Sequence, residues 1–235
     1  AAMSWRTRPM LGIDSETTGV DVETDRIVTF CAGIASPTGW QPRTWLLQQD
    51  QPIPEAATDV HGITTEHANT HGVRPEKALP EIRDDLYKAW AHGMPLVGFN
   101  LCYDLTLFDR ELRRHGFDGL EIRGPVIDVF VLDKRADPYR KGSRKLTAVA
   151  AHHGVILSES DAHGAEADAL AACRIAWKIG AGWLDLQHLH DEQVVAYREQ
   201  RESFAKYLAK KGERLDDPNT IWPLKPWPDA TTTAA

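Results

Sequence analysis

Cysteine is scarce in this chain. Cys31, Cys102 and Cys173 are odd in number, far apart and in no C-x-x-C pattern, so they suggest neither a disulfide framework nor a zinc site, and they fit a reducing cytoplasm. No run of 18 apolar residues occurs and the N-terminus has no signal-peptide core, so no membrane-spanning helix or secretory leader is expected. Positive charge is not in excess either. The 27 Lys and Arg against 34 Asp and Glu give a net charge of -7, which argues against coating long nucleic acid by bulk electrostatics but leaves room for a grip on a strand end. At 235 residues, 42% hydrophobic and 26% charged, the chain fits one sizeable domain with its own core, or one domain plus an appendage.

Local patterning predicts the elements. An apolar lead-in at 11–19, a run at 26–35 and a third at 43–47 read as strands separated by short polar turns, which implies an antiparallel meander. Residues 52–70 read as irregular to helical, with Thr64 or Thr65 as N-cap. Helical spacing at 75–91 sets Ala78, Leu79, Ile82, Leu86 and Trp90 on one stripe. A short buried strand at 95–99, a helix at 101–115, a strand at 125–132, and helices at 145–153 and 165–179 follow, each helix closed by a glycine. A meander followed by alternating strands and helices predicts an α/β mixed sheet with helices packed on it. A further helix at 189–211, with Leu189, Val194, Tyr197, Phe204 and Leu208 as its buried positions, precedes a tail rich in proline and tryptophan that drapes over the domain and ends in a disordered Thr-Thr-Thr-Ala-Ala. The organisation expected is residues 1–7 disordered or expression-derived, a domain at 8–185, and an appendage at 186–235.

The stretch LGIDSETTG carries chemistry. Strand side chains alternate, so Asp14 and Glu16 project together and Ser15 points away. Two carboxylates on one face repel unless a cation sits between them, and a divalent metal answers that need. Thr17, Thr18 and Gly19 add hydroxyls and a flexible turn suited to a substrate's hydroxyl or phosphate end. An isolated acid-x-acid is most often a strand entering a polar turn. Asn100 and Asp104, at i and i+4, share a face of the first helical turn, where they also serve as N-cap and favourable dipole charge. His163 lies in the polar stretch 158–164 and Asp168 five residues on, inside the Ala-rich helix.

Together, D-x-E, N-x-x-x-D and H-x-x-x-x-D, in that order on strand, helix and loop-helix, resemble the DEDDh exonucleases, the family of polymerase proofreading subunits and oligoribonuclease. The resemblance covers roughly residues 8–180 and implies a ribonuclease H-like five-stranded mixed sheet whose first three strands are antiparallel. It implies 3′-to-5′ hydrolysis of phosphodiesters with two divalent ions, Mg2+ or Mn2+, about 3.5–4 Å apart. Asp14 would bridge them, Glu16 and Asp168 would complete one site, Asp104 would serve the other, and His163 would be the general base. Thr17, Thr18, His61 (within His61-Gly62-Ile63) and Asn100 are expected near the substrate's terminal nucleotide. Ser15, in the variable middle position, is expected to face away from the metals.

Residues 133–145 (DKRADPYRKGSRK) carry six Lys or Arg against two Asp. Such a run is either a solvated loop or a phosphate-tracking one, with Tyr139, Arg140 and Lys141 as candidate substrate contacts. Asp128 reads as a structural acid, and His152, His153, His188 and His190 as incidental. The leading expectation is a DNA exonuclease in replication or repair acting on single-stranded or frayed 3′ ends, with a polymerase or replication partner at the C-terminal helix and no membrane. An exoribonuclease or short-oligonucleotide enzyme is the nearest alternative. Outside that chemistry stand a non-catalytic nucleic-acid or clamp-binding module, and a metal hydrolase of free nucleotides.

Overall fold

In the computed structural model, residues 4–157, 162–183 and 185–228 are described. Ala1-Ala2, part of the polar stretch before His163 and the terminal Thr-Thr-Thr-Ala-Ala lie outside them. Five strands, β1 (Met10–Thr17), β2 (Ile27–Ser36), β3 (Gly39–Leu46), β4 (Leu96–Gly98) and β5 (Val126–Asp128), form one sheet in the order β3-β2-β1-β4-β5. The meander is antiparallel, while β4 runs parallel to β1 and β5 to β4. This is the ribonuclease H-like arrangement expected. β3 is a sheet edge, which is why Pro42, lacking an N–H, is tolerated in it.

The helices are α1 (Glu55–His61), α2 (Thr65–His71), α3 (Pro75–Ala91), α4 (Leu101–Arg114), α5 (Val129–Ala136), α6 (Leu146–His152), α7 (Ala165–Ile179) and α8 (Leu186–Lys210). Thr64 caps α2 through its hydroxyl, which accepts from His67 N. All five residues of the predicted α3 stripe are buried, each large one worth about 1.5–3 kcal/mol of transfer free energy. They meet Leu11 and Ile13 of β1 together with α4 on one face of the sheet. α6 and α7 pack on the opposite face, against Val97 and Ile127.

Gly12 sets how close α7 comes. A Cβ there would lie 2.6 Å from Cys173 Sγ and 3.0 Å from the Ala169 carbonyl oxygen. Only glycine admits that approach, and it carries the neighbouring Asp168 up to Asp14 and Glu16, which share Gly12's face of the strand.

Two expectations are corrected. The predicted strand over 125–132 stops at Asp128, because that carboxylate accepts from Phe130 N and starts α5, whose apolar residues are as buried as a strand's. On α8 the buried residues are Leu189, Gln193 and Ala196, whereas Phe204 is 47% exposed. The segment after α8 crosses α4. Trp222 is buried and donates through Nε1 to Asp128 Oδ2 (3.3 Å), and the Lys225 amide donates to Thr106 Oγ1 (3.1 Å).

Candidate active site

The central strand β1 ends with a register irregularity opposite Val28, between Glu16 and Thr17, a bulge-like feature of the kind that re-aims side chains. Ligand oxygens of Asp14, Glu16 and Asp168 lie within 4.8 Å of one another. Asp168 Oδ1 is buried with no hydrogen-bond partner among the described residues, while Oδ2 accepts from the His163 amide (3.4 Å). An orphaned buried oxygen in an all-carboxylate set is what a hard divalent cation would satisfy, so these residues fit one.

Asp104, on α4, is near enough to repel Asp14 and Glu16 but is not one of the three carboxylates whose oxygens lie within 4.8 Å. It is 4% exposed, and Ser15 Oγ donates to its Oδ1 (2.5 Å). Ser15 does point to the face opposite Asp14 and Glu16, as expected, but it is not idle there: odd positions of β1 face α4, and Ser15 fixes Asp104.

Electrostatics follow from the crowding. Burial, and then repulsion from Asp104, Asp168 and Glu16, holds Asp14 well above the usual carboxylate range. Burial with Asp168 and Asp104 nearby pushes Glu16 up to about 8. Burial lifts Asp104 to about 7 against the Ser15 hydrogen bond, and burial raises Asp168. Without cations the cluster therefore retains protons near neutrality, and bound cations would displace them.

His163 is exposed with φ 72°, a left-handed conformation that turns the chain sharply into α7. Asn100 is also left-handed (φ 58°) and its side chain does not cap α4. Asp128 does that work instead, accepting from Asn100 N (2.8 Å) and Leu101 N (2.9 Å). Its structural role is as read.

The substrate candidates divide. The Thr17 hydroxyl donates to the Gly19 carbonyl (2.8 Å) and lies 2.7 Å from the Tyr103 hydroxyl, which also donates to that carbonyl. The Thr18 hydroxyl is held inside the turn by Asp25 and the Arg26 amide, both at 2.9 Å. His61 Nδ1 accepts from Ile63 N (3.1 Å), which leaves Nε2 to donate to the Thr17 carbonyl (3.2 Å). Burial lowers its pKa, so the neutral ring braces the turn. In the basic stretch, α5 runs on to Ala136, and the loop beyond it is folded around Asp133, 1% exposed, which binds Arg140 (2.6 Å), Arg144 (2.8 Å) and His153 (2.9 Å). Arg140 is thus engaged within the fold, His153 is not incidental, and Tyr139 is 92% exposed beside exposed Lys141. Tyr103 escaped sequence reasoning. Its one signal was adjacency to Asp104.

The exonuclease family model (RNase_T) matches residues 11–176. The uncharacterized exonuclease CP81 of Escherichia phage 186 is 30% identical over 190 residues, 76% of this chain and 89% of the phage protein. The PolC-type DNA polymerase III of Lacticaseibacillus paracasei is 27% identical over 205 residues, 84% of this chain but 14% of the polymerase. Among solved structures, a zinc-bound complex of E. coli exonuclease I with single-stranded DNA superposes with TM-score 0.63 at 19% identity, over 84% of this chain and 45% of that one. Exonuclease I of Methylocaldum szegediense gives 0.62 at 21%, over 83% and 44%. The chain therefore spans less than half of those structures and about a seventh of the polymerase.

Proposed function

The chain belongs to the exonuclease family, as a DEDDh-type 3′-to-5′ phosphodiester hydrolase, and from that premise we propose that it trims single-stranded DNA with two divalent ions and a histidine general base. The observation that carries the reading is Asp168 Oδ1, buried and without a hydrogen-bond partner among the described residues, inside the three-carboxylate cluster at the end of β1. Asp14, Glu16 and Asp168 would hold the cations, with Asp104 completing the set. When bound, the cations neutralise the phosphate and acidify a water.

The chain's own groups do the rest. His163 is exposed at the turn into α7, so its imidazole can reach a water's proton, and a neutral imidazole nitrogen can accept it. Thr17 is held by Tyr103 and His61, so the turn after Glu16 presents a fixed backbone to the terminal nucleotide. Beside it, a cleft of about 550 Å3 lined by Asn100, Tyr103 and Asn219 offers space for a base. Tyr139 and Lys141 stand free to meet the strand. Arg140, engaged by Asp133, would act by shaping the loop. DNA is preferred to RNA because exonuclease I, similar in fold, is described bound to single-stranded DNA and the polymerase relative is a DNA polymerase.

The test is a gel time course on 5′-labelled DNA and RNA strands of one sequence with Mg2+, Mn2+ or EDTA, beside Asp14→Asn. Stepwise shortening that needs metal and Asp14, faster on DNA, is expected. Faster RNA shortening overturns the sugar assignment, and no shortening of either overturns the catalytic reading in favour of a binding module.

A further inference from the structure

A groove on the described surface combines cations with exposed aromatic rings. It runs between α5 with its following loop and α8, has a volume of about 570 Å3, and is lined by Lys134, Arg135, Arg140 and Arg144 against one carboxylate, Glu199. Arg135 is paired with Glu199 (3.0 Å) and Glu192 (3.6 Å), and the loop arginines with Asp133, so Lys134 is the wall's cation without a salt bridge among the described residues and the one that favours an anion. Asp133 lies buried beneath and holds Arg140 and Arg144 from behind, so the wall keeps its shape.

The α8 wall presents Phe204 and Tyr207, 47% and 50% exposed, with ring centroids 6.3 Å apart and planes 16° from parallel. Lys211 Nζ lies 4.4 Å over the Tyr207 ring. Two large rings left in water on a helix whose other face is buried are not explained by packing. Parallel rings flanked by cations suit stacked bases and their phosphates.

The chain topology leads from the catalytic end of the sheet, through β5 and α5, toward the groove. Because β1, β4 and β5 are parallel, their C-terminal ends fall on one edge, bringing Glu16, then Phe99, then Phe130 into line. The Phe99 and Phe130 rings are 4.9 Å apart, and Lys134 Nζ lies 4.0 Å over Phe130. Two strand spacings are about 10 Å and five helical residues about 7 Å. At about 3.4 Å per stacked nucleotide, that path from the carboxylates to the groove is at most about five nucleotides long.

Resting on the exonuclease reading, we propose that the 5′ portion of the strand whose 3′ end lies at the carboxylates crosses Phe99 and Phe130 and is held in this groove. Its bases stack on Phe204 and Tyr207, and its phosphates lie against Lys134, on a wall whose shape Arg140 and Arg144 keep through Asp133. Stacking of this kind tolerates every base, so the groove sets a minimum strand length and not a sequence preference.

The experiment compares the full chain with F204A/Y207A and K134A on strands of 4 and 12 nucleotides. Binding is read by fluorescence anisotropy in EDTA, hydrolysis in Mg2+, and folding by melting temperature. Stacking contributes about 1–3 kcal/mol per base, so loss of both rings in F204A/Y207A should weaken binding of the longer strand by about 30-fold or more. Its binding and hydrolysis of the shorter strand should stay within about twofold of wild type. K134A should weaken binding of the longer strand and reduce its salt dependence by about one phosphate contact. Equal losses at both lengths, or no loss on the longer strand, overturn the proposal. If the wild type hydrolyses neither strand, the exonuclease reading fails by itself, and the length-dependent binding in EDTA still decides the groove.

Discussion

Replacing Glu16 by Gln should stabilise the metal-free protein at alkaline pH while abolishing its activity. Glu16 is half-buried beside Asp14 and Asp168, with ligand oxygens within 4.8 Å. At that separation and an effective dielectric of about 20, an ionised pair repels by about 3.5 kcal/mol. The protein avoids that by keeping a proton on Glu16, whose pKa is pushed up to about 8. A carboxyl with a raised folded pKa retains a proton that the unfolded chain has lost. Its stabilising contribution is complete below the unfolded value near 4.3, and it is lost as pH rises through about 8. Partial solvation reduces the full linkage energy to about 2–3 kcal/mol. Glutamine is neutral at every pH and nearly the same size. In EDTA at pH 9, E16Q should therefore melt about 4–12 °C above wild type, taking about 2–4 °C per kcal/mol for a chain of this length. At pH 4 the two should coincide. Millimolar Mg2+ should reverse the order at pH 8, because wild type gains RT ln(1 + [Mg]/Kd) and the variant gains less. Calorimetry across pH with and without Mg2+ reads all three arms. A variant no more stable than wild type in EDTA at pH 9, or equally offset at pH 4, refutes the crowding argument.

Asp133→Asn should cost about 3–5 kcal/mol at pH 7, since it leaves Arg140 and Arg144 without their buried partner. Asp133 itself is held near a pKa of about 2, with burial opposing and Arg140, His153 and Arg144 prevailing. Its contribution is full above about 4 and lost as pH falls from there through the folded value of about 2, so urea midpoints of variant and wild type should converge below pH 2. His163→Ala should lower kcat by about 10²–10⁴ while keeping the Mg2+-induced rise in melting temperature; loss of that rise would mean the residue acts through the metal site. Tyr103→Phe removes the hydroxyl that braces Thr17 and Gly19, and about 1 kcal/mol for one hydrogen bond predicts a roughly fivefold fall in kcat/KM, mainly through KM. An unchanged KM would show that the turn holds without it.

Which parts of this were legible follows from how local each feature is. Period two alone places Asp14 with Glu16, and the same period gives Gly12 the α7 face. The α3 stripe and the Thr64 cap are equally local, and both stand as read. Val126 to Leu132 is different, because a short buried apolar run has no period to separate strand from helix. The boundary signal was Asp128, whose capping ability is visible only if one first supposes that a helix follows. Phe204 was misassigned for a related reason. Helical periodicity names a face but not its partner, and Gln193 occupies the buried stripe of α8 because its amide meets Asp128 N and the Val126 carbonyl.

The acidic site shows the same limit at higher stakes. Sequence order names Asp104, but its environment depends on α4 and α7 packing on opposite faces of one strand. That sidedness makes Ser15 the donor that lowers Asp104 against its burial while Asp14 and Glu16 face Asp168. A pattern that treats the position between the two acids as free therefore conceals a working residue. The basic stretch conceals another, since counting its charges cannot distinguish Asp133, on which the loop is built, from the cations left facing outward. In both places the decisive fact is which side of a shared element a residue occupies. Spacing supplies that only after the packing partners are known.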